Sequence, residues 1–68
     1  MTMKLTINGR IKEYPEPLTL ALLLQHLQLA PALLVVELNS EIIRSEEHPH
    51  IDLKTGDKLE IVQFVGGG

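Results

Sequence analysis

The sequence predicts an α+β roll, in which a mixed sheet of four to five strands carries one helix packed across it. Three observations lead there. Met3, Leu5 and Ile7 alternate with Lys4 and Thr6, the period of a strand with one buried face. Leu20, Leu23, Leu24 and Leu27 fall at i, i+3, i+4 and i+7, a single apolar stripe on a helix. Lys58 to Val65 collects Leu59, Ile61, Val62, Phe64 and Val65, residues that favour a pleated surface. A hairpin, a helix across the sheet and a strong late strand place the first and last strands centrally and in parallel, with the helix stripe covering one face.

Taken in order, the first strand ends at Asn8-Gly9, a pair that tolerates positive φ and marks a hairpin. A two-residue loop sets Ile7 opposite Arg10, whereas a three-residue loop over Asn8-Gly9-Arg10 sets Ile7 opposite Ile11 on the core side. The hydrophobic pattern therefore predicts the longer, bulged loop. Pro15 and Pro17 hold Tyr14 to Glu16 extended and end the second strand. Thr19 is the expected helix N-cap, with Leu18 and Leu23 placed to staple across it, and Pro31 is the expected stop. Leu22 and Leu29 lie on the other side of the helical wheel and call for a second apolar contact. Leu34 to Leu38 reads as a third strand, Asn39-Ser40 as a turn, and Glu41 to Arg44 as its short partner. Ser45 to His48 has the pattern of a capped helical turn stopped by Pro49. Ile51 to Leu53 is short and extended, and Thr55-Gly56-Asp57 is a turn with Gly56 at positive φ.

Sixty-eight residues allow one domain. A folded monomer of this size exposes roughly 4,300 Å² and buries about 60% of the surface of its unfolded chain, which leaves a thin core without room for a deep cavity. The net charge of −3 and the 3% aromatic content lack the basic stripe and stacking rings of a nucleic-acid binder. With no cysteine, disulfides, thiolate zinc sites and thiol catalysis are excluded. No run approaches the roughly 20 apolar residues that cross a bilayer, and Met1 to Lys4 lacks the apolar stretch of a signal peptide. The expectation is a cytoplasmic domain that binds neither nucleic acid nor membrane.

Few residues offer chemistry. Asp52, Asp57 and the seven glutamates are scattered over turns and polar strand positions, and solvation accounts for them better than a catalytic pair would. His48 and His50 flank Pro49, but a zinc site needs three or four ligands and only the distant His26 could add to them, so exposed loop histidines are expected. Ser40 and Ser45 sit at turn and cap positions, and no glycine-rich phosphate loop follows a strand. Catalytic residues and metal ligands are therefore expected to be absent.

The end of the chain is different. A strong strand runs directly into Gly66-Gly67-Gly68. Without side chains these glycines do not pack, and they would extend roughly 10 Å as a thread. Its only reactive group is the Gly68 carboxylate, ionised at neutral pH because its reference pKa is about 3.5. The division expected is a folded domain over 1–65 and a glycine tail over 66–68. Along the preceding strand, alternation assigns Leu59, Ile61 and Val65 to one face and Val62 and Phe64 to the other. An apolar pair beside a reactive tip reads as a docking surface for a partner.

In element order, size and motif the chain resembles the ThiS family, the small sulfur carriers of thiamine biosynthesis. The motifs are Met3-Lys4-Leu5-Thr6-Ile7-Asn8-Gly9, the Thr55-Gly56-Asp57 turn, and the ending Phe64-Val65-Gly66-Gly67-Gly68. The resemblance implies a ubiquitin-like β-grasp fold. It also implies that the Gly68 carboxylate is adenylated by a ThiF-like enzyme related to ubiquitin-activating enzymes, with Gly66 and Gly67 as the thread. A sulfur-transfer enzyme would then help to convert it to a thiocarboxylate, which donates sulfur to a ThiG-like thiazole synthase. The protein would be a cosubstrate and not an enzyme. It would bind no cofactor itself, the ATP and magnesium being used by the activating partner. Readings kept beside this one are the sulfur-carrying small subunit of molybdopterin synthase, a ubiquitin-like modifier, an interaction module with an inert tail, and a histidine-based metal hydrolase at His48 and His50.

Overall fold

In a computed structural model of the chain, residues 1–30 and 33–64 are described. Strands β1 (Thr2–Ile7) and β2 (Arg10–Pro15) form an antiparallel hairpin, followed by helix α1 (Leu20–His26). Strands β3 (Leu34–Leu38) and β4 (Glu41–Ile43), a 3-10 helix over Ser45–His50, and β5 (Lys58–Gln63) complete the order. The five strands form one mixed sheet in the order β2-β1-β5-β3-β4. As the sequence predicts, β1 and β5 are adjacent and parallel, with Ile7 beside Leu59.

One face of the sheet is covered by α1. Met3, Leu5 and Ile7 from β1, Leu59 and Ile61 from β5 and Val36 from β3 are buried against Leu20, Leu23 and Leu24. The Thr19 hydroxyl accepts a hydrogen bond from the Leu22 N–H at 3.2 Å, the expected N-cap. Leu18, just before the cap, is buried with Leu23. The segment Ile51 to Leu53 secures this end of the helix. Leu20 N–H donates to Ile51 C=O and Leu53 N–H donates to Leu18 C=O, at 3.0 and 2.9 Å.

Several expectations are corrected. The hairpin loop has two residues, with Ile7 opposite Arg10 and Thr6 opposite Ile11. Asn8 and Gly9 adopt φ of 50° and 82°, the pair of positive values that matches the strand twist in a two-residue turn. The Asn8 side chain then continues the ladder beyond the end of β1. Its Oδ1 accepts from Ile61 N–H at 2.7 Å, and its Nδ2 donates to Ile61 C=O at 3.2 Å. Ile11 is 71% exposed as a result, and Arg10, Lys12 and Tyr14 occupy the helix side of β2.

Helix α1 ends at His26, well before Pro31. Gln28 takes φ 58°; its N–H donates to Gln25 C=O and the Leu29 N–H donates to Leu24 C=O. These two bonds form a Schellman motif with glutamine where glycine is usual, so the sequence carries no glycine signal for it. Leu29 is thereby turned back to pack partly against the core, while Leu22 stays 44% exposed and needs no second cover. The 3-10 helix contains Pro49 within it, and Arg44 stands at its N-cap position with no side-chain cap bond, in place of a Ser45 cap. Among the described residues no helix is long and apolar enough to cross a membrane.

Candidate functional site

The geometry that matters is how β5 is held, because it leads to the chain end. Two asparagines clamp it from either side. Asn8 binds both backbone groups of Ile61, as above. Asn39, in the β3–β4 turn at φ 50°, accepts from the Lys58 N–H at 3.0 Å and donates from Nδ2 to Asp57 Oδ1 at 3.0 Å. Asp57 Oδ2 accepts from the Lys54 N–H at 2.9 Å, and its Oδ1 lies 3.3 Å from Lys54 Nζ. Gly56 in this turn has φ 94°, as predicted.

Asp57 is 2% exposed, which corrects the expectation that the carboxylates are all solvated. Burial by itself raises its pKa, but the Asn39 amide, the Lys54 N–H and the Lys54 ammonium outweigh it and hold the carboxyl below its ordinary value. Nothing in the turn motif indicates this burial, which arises only when β1 and β3 close on both sides. The roles of Asn8 and Asn39 were likewise missed. An asparagine before glycine or serine signals only a turn, whereas here each side chain extends a ladder.

Val62 and Phe64 are 54% and 55% exposed, while Leu59 and Ile61 are buried. Val62 lies opposite Val35 on the uncovered face of the sheet, and the Phe64 N–H donates to Leu33 C=O at 2.8 Å. Val65, Gly66, Gly67 and Gly68 lie outside the described residues.

The histidines are not gathered. His50 and His26 are exposed, with the His26 ring 6.1 Å from that of Tyr14. His48 is 3% exposed, correcting the expectation of a loop histidine, and neither ring nitrogen finds a hydrogen-bond partner among the described residues. No three His, Asp or Glu residues among them come together as metal ligands.

A five-stranded mixed sheet gripping one helix, with its central strand leading into a run of glycines, defines a small ubiquitin-like β-grasp protein. The ThiS family matches residues 5–68. The chain is 40% identical to the sulfur carrier protein ThiS of Bacillus subtilis, covering 94% of this chain and 98% of that one. It is also 39% identical to a thiazole synthase of Paramagnetospirillum magneticum, over 97% of this chain, although it spans only 20% of that protein's length. Among solved structures it is similar to the crystal structure of the thiamine biosynthesis protein ThiS from Geobacter metallireducens. That comparison has a TM-score of 0.81 and 38% identity, covering 97% of this chain and all (100%) of that one. The chain belongs to the ThiS family.

Proposed function

We propose that this chain is the sulfur carrier of thiamine biosynthesis and that Gly68 bears the sulfur. The observation that carries the reading is the union of a ThiS-family fold with an ending of three glycines directly after the β5 region. A carboxylate accepts sulfur poorly because hydroxide is a poor leaving group. Attack of the Gly68 carboxylate on the α-phosphorus of ATP, with loss of pyrophosphate, gives an acyl adenylate. A sulfide-level sulfur from the sulfur-transfer partner then displaces AMP, so a carbonyl–sulfur bond replaces the carbonyl–oxygen bond. The adenylating partner supplies the magnesium and cationic clamps for the first step. A thiazole synthase consumes the thiocarboxylate, in line with the relative of that name.

This chain contributes shape. Residues 1–65 form the body and 66–68 a thread narrow enough to enter a partner's active site, while Val62 and Phe64 dock the body beside it. The absence of cysteine protects the activated terminus from an internal thiol. The chain is a cosubstrate, not a catalyst. The thiamine branch is favoured over the molybdopterin branch by the relatives' names.

Incubation with the adenylating enzyme, ATP, magnesium and a sulfur source is expected to raise the intact mass by the difference between one sulfur and one oxygen, located at Gly68. The Gly67→Trp variant is expected to fold normally yet remain unmodified. An unmodified wild-type terminus, or a Gly67→Trp chain activated at the native rate, would overturn the proposal.

A further inference from the structure

A groove with an apolar floor and two cations in its wall lies on the helix side of the sheet, at the end of β5. It is half open, with a volume of about 390 Å³, and runs between the hairpin and the C-terminal end of α1. Its apolar lining is Ile7 and Ile61 from the sheet and Leu27 and Leu29 from the helix end, with Arg10 and Lys12 along one wall. Gln63, the last residue of β5, lines it too, so the groove reaches the end of that strand.

The groove depends on the two corrections described above. The two-residue hairpin turns Arg10 and Lys12, rather than Ile11, to the helix side. The early Schellman stop ends the helix at His26 and turns the chain back at Leu29, so that Leu27 and Leu29 pack partly against the core and line the groove. In a chain of net charge −3, two adjacent cations beside an apolar floor are a local reversal of sign. Among the described residues neither meets a carboxylate, since the ion pairs there are Arg44–Glu46 and Lys54–Asp57.

We infer that this groove seats a segment of the enzyme that takes up the tail, a segment carrying a carboxylate next to a leucine-sized aliphatic side chain. The inference rests on the carrier reading and deepens it. The aliphatic group fills the space over Ile61 and Leu29, and the carboxylate pairs with Arg10 and Lys12. Arginine offers a forked donor for such a group. Because Gln63 forms part of the wall, an enzyme gripping the groove also sets where the tail begins. Contacts from this groove and from Val62 and Phe64 would hold the root of the tail from both faces of the sheet.

The test uses the full-length chain with the adenylating enzyme and the thiazole synthase of the same organism. The Arg10→Glu/Lys12→Glu variant is compared with Arg44→Glu/Lys58→Glu, which changes net charge equally but away from the groove. The groove variant is expected to raise the Kd for at least one enzyme about tenfold or more, with the control within about twofold. Both positions are exposed and, among the described residues, free of ion pairs, so the fold should be retained, and Arg10→Ala/Lys12→Ala replaces the variant if it is not. Groove affinities within twofold of wild type for both enzymes, or equal losses in groove and control variants, overturn the inference. So do amide shifts at Asn8, Arg10 and Lys12 produced by ATP alone, which would mark a nucleotide site. Shifts there on deleting residues 66–68 without any enzyme would mark the chain's own tail as occupant, and overturn it equally. A wild-type chain that never gains sulfur refutes the carrier reading itself. A groove variant that binds and is loaded normally refutes only the groove.

Discussion

Replacing Asp57 by alanine should destabilise the protein by about 3 kcal/mol. The carboxylate accepts from Asn39 Nδ2 at 3.0 Å and from the Lys54 N–H at 2.9 Å while nearly inaccessible to water. Hydrogen bonds to a charged group contribute about 1.5–3 kcal/mol each, and water reaching the abandoned donors argues for the lower end. The ion pair adds less than about 1 kcal/mol, because the Lys54 side chain is 78% exposed. In a domain of this size each kcal/mol moves Tm by about 4–8 °C, so Tm should fall by about 12–24 °C. Asp57→Asn keeps one acceptor and sets an NH2 group against the other donor, giving a smaller loss. It also removes the pH dependence of this site. Because the folded carboxyl is held below its ordinary value, the unfolded chain binds the proton more tightly. The stability contributed by Asp57 is therefore fully present above pH of about 4 and is lost as pH falls through the lowered folded value. Urea denaturation followed by circular dichroism between pH 7 and pH 3 measures both effects. The wild-type minus Asp57→Asn difference should shrink toward the acid end. A loss below about 1 kcal/mol for Asp57→Ala, or a difference that does not vary with pH, would refute the reasoning.

Four further substitutions probe the architecture. Gln28→Gly should stabilise by about 0.5–1 kcal/mol, because Gln28 holds φ 58° at a position where glycine is unstrained; urea midpoints decide it. Ile11→Thr should change stability by less than about 0.5 kcal/mol, since the side chain faces solvent. Ile7→Ala should cost about 2–5 kcal/mol, and a loss of similar size for Ile11→Thr would restore the bulged hairpin, which buries both side chains. His48→Leu should raise the thermal midpoint, because a buried imidazole without partners costs about 1–3 kcal/mol that an apolar side chain does not. A lowered midpoint would show that His48 is bonded in solution.

Much of the fold was legible in local pattern. The alternation of β1, the Thr19 cap, the stripe on α1 and the Gly56 turn each depend on neighbours within a few residues, and each stands where the sequence places it. The hairpin was misread because pairing Ile7 with Ile11 maximised apolar burial on paper. In the folded chain β2 is an edge strand and α1 lies over β1, β5 and β3. Ile11 has nothing to pack on, and Asn8 gains two bonds to Ile61 only through the shorter loop. The helix end was misread for a related reason: a Schellman stop at glutamine carries no glycine, and only the hydrogen bonds reveal it. For the candidate site, the glycine ending was plain in sequence, but the paired asparagines and the buried Asp57 were not.

Taken alone, the sequence determined the order of the strands and helix, the apolar stripes of β1 and α1 that enter the core, and a closing run of three side-chain-free residues. Those properties belong to composition and to short-range periodicity, where steric preference and apolar spacing act within a turn or two. Tertiary structure decided which faces the remaining side chains meet. The cations of β2 lie beside an apolar groove, Asp57 and His48 are enclosed, and Val62 remains uncovered only because strands distant in sequence are adjacent in the sheet. A one-residue change of register inverts every face of a strand, and that choice is made by contacts more than fifty residues apart, such as Asn8 with Ile61.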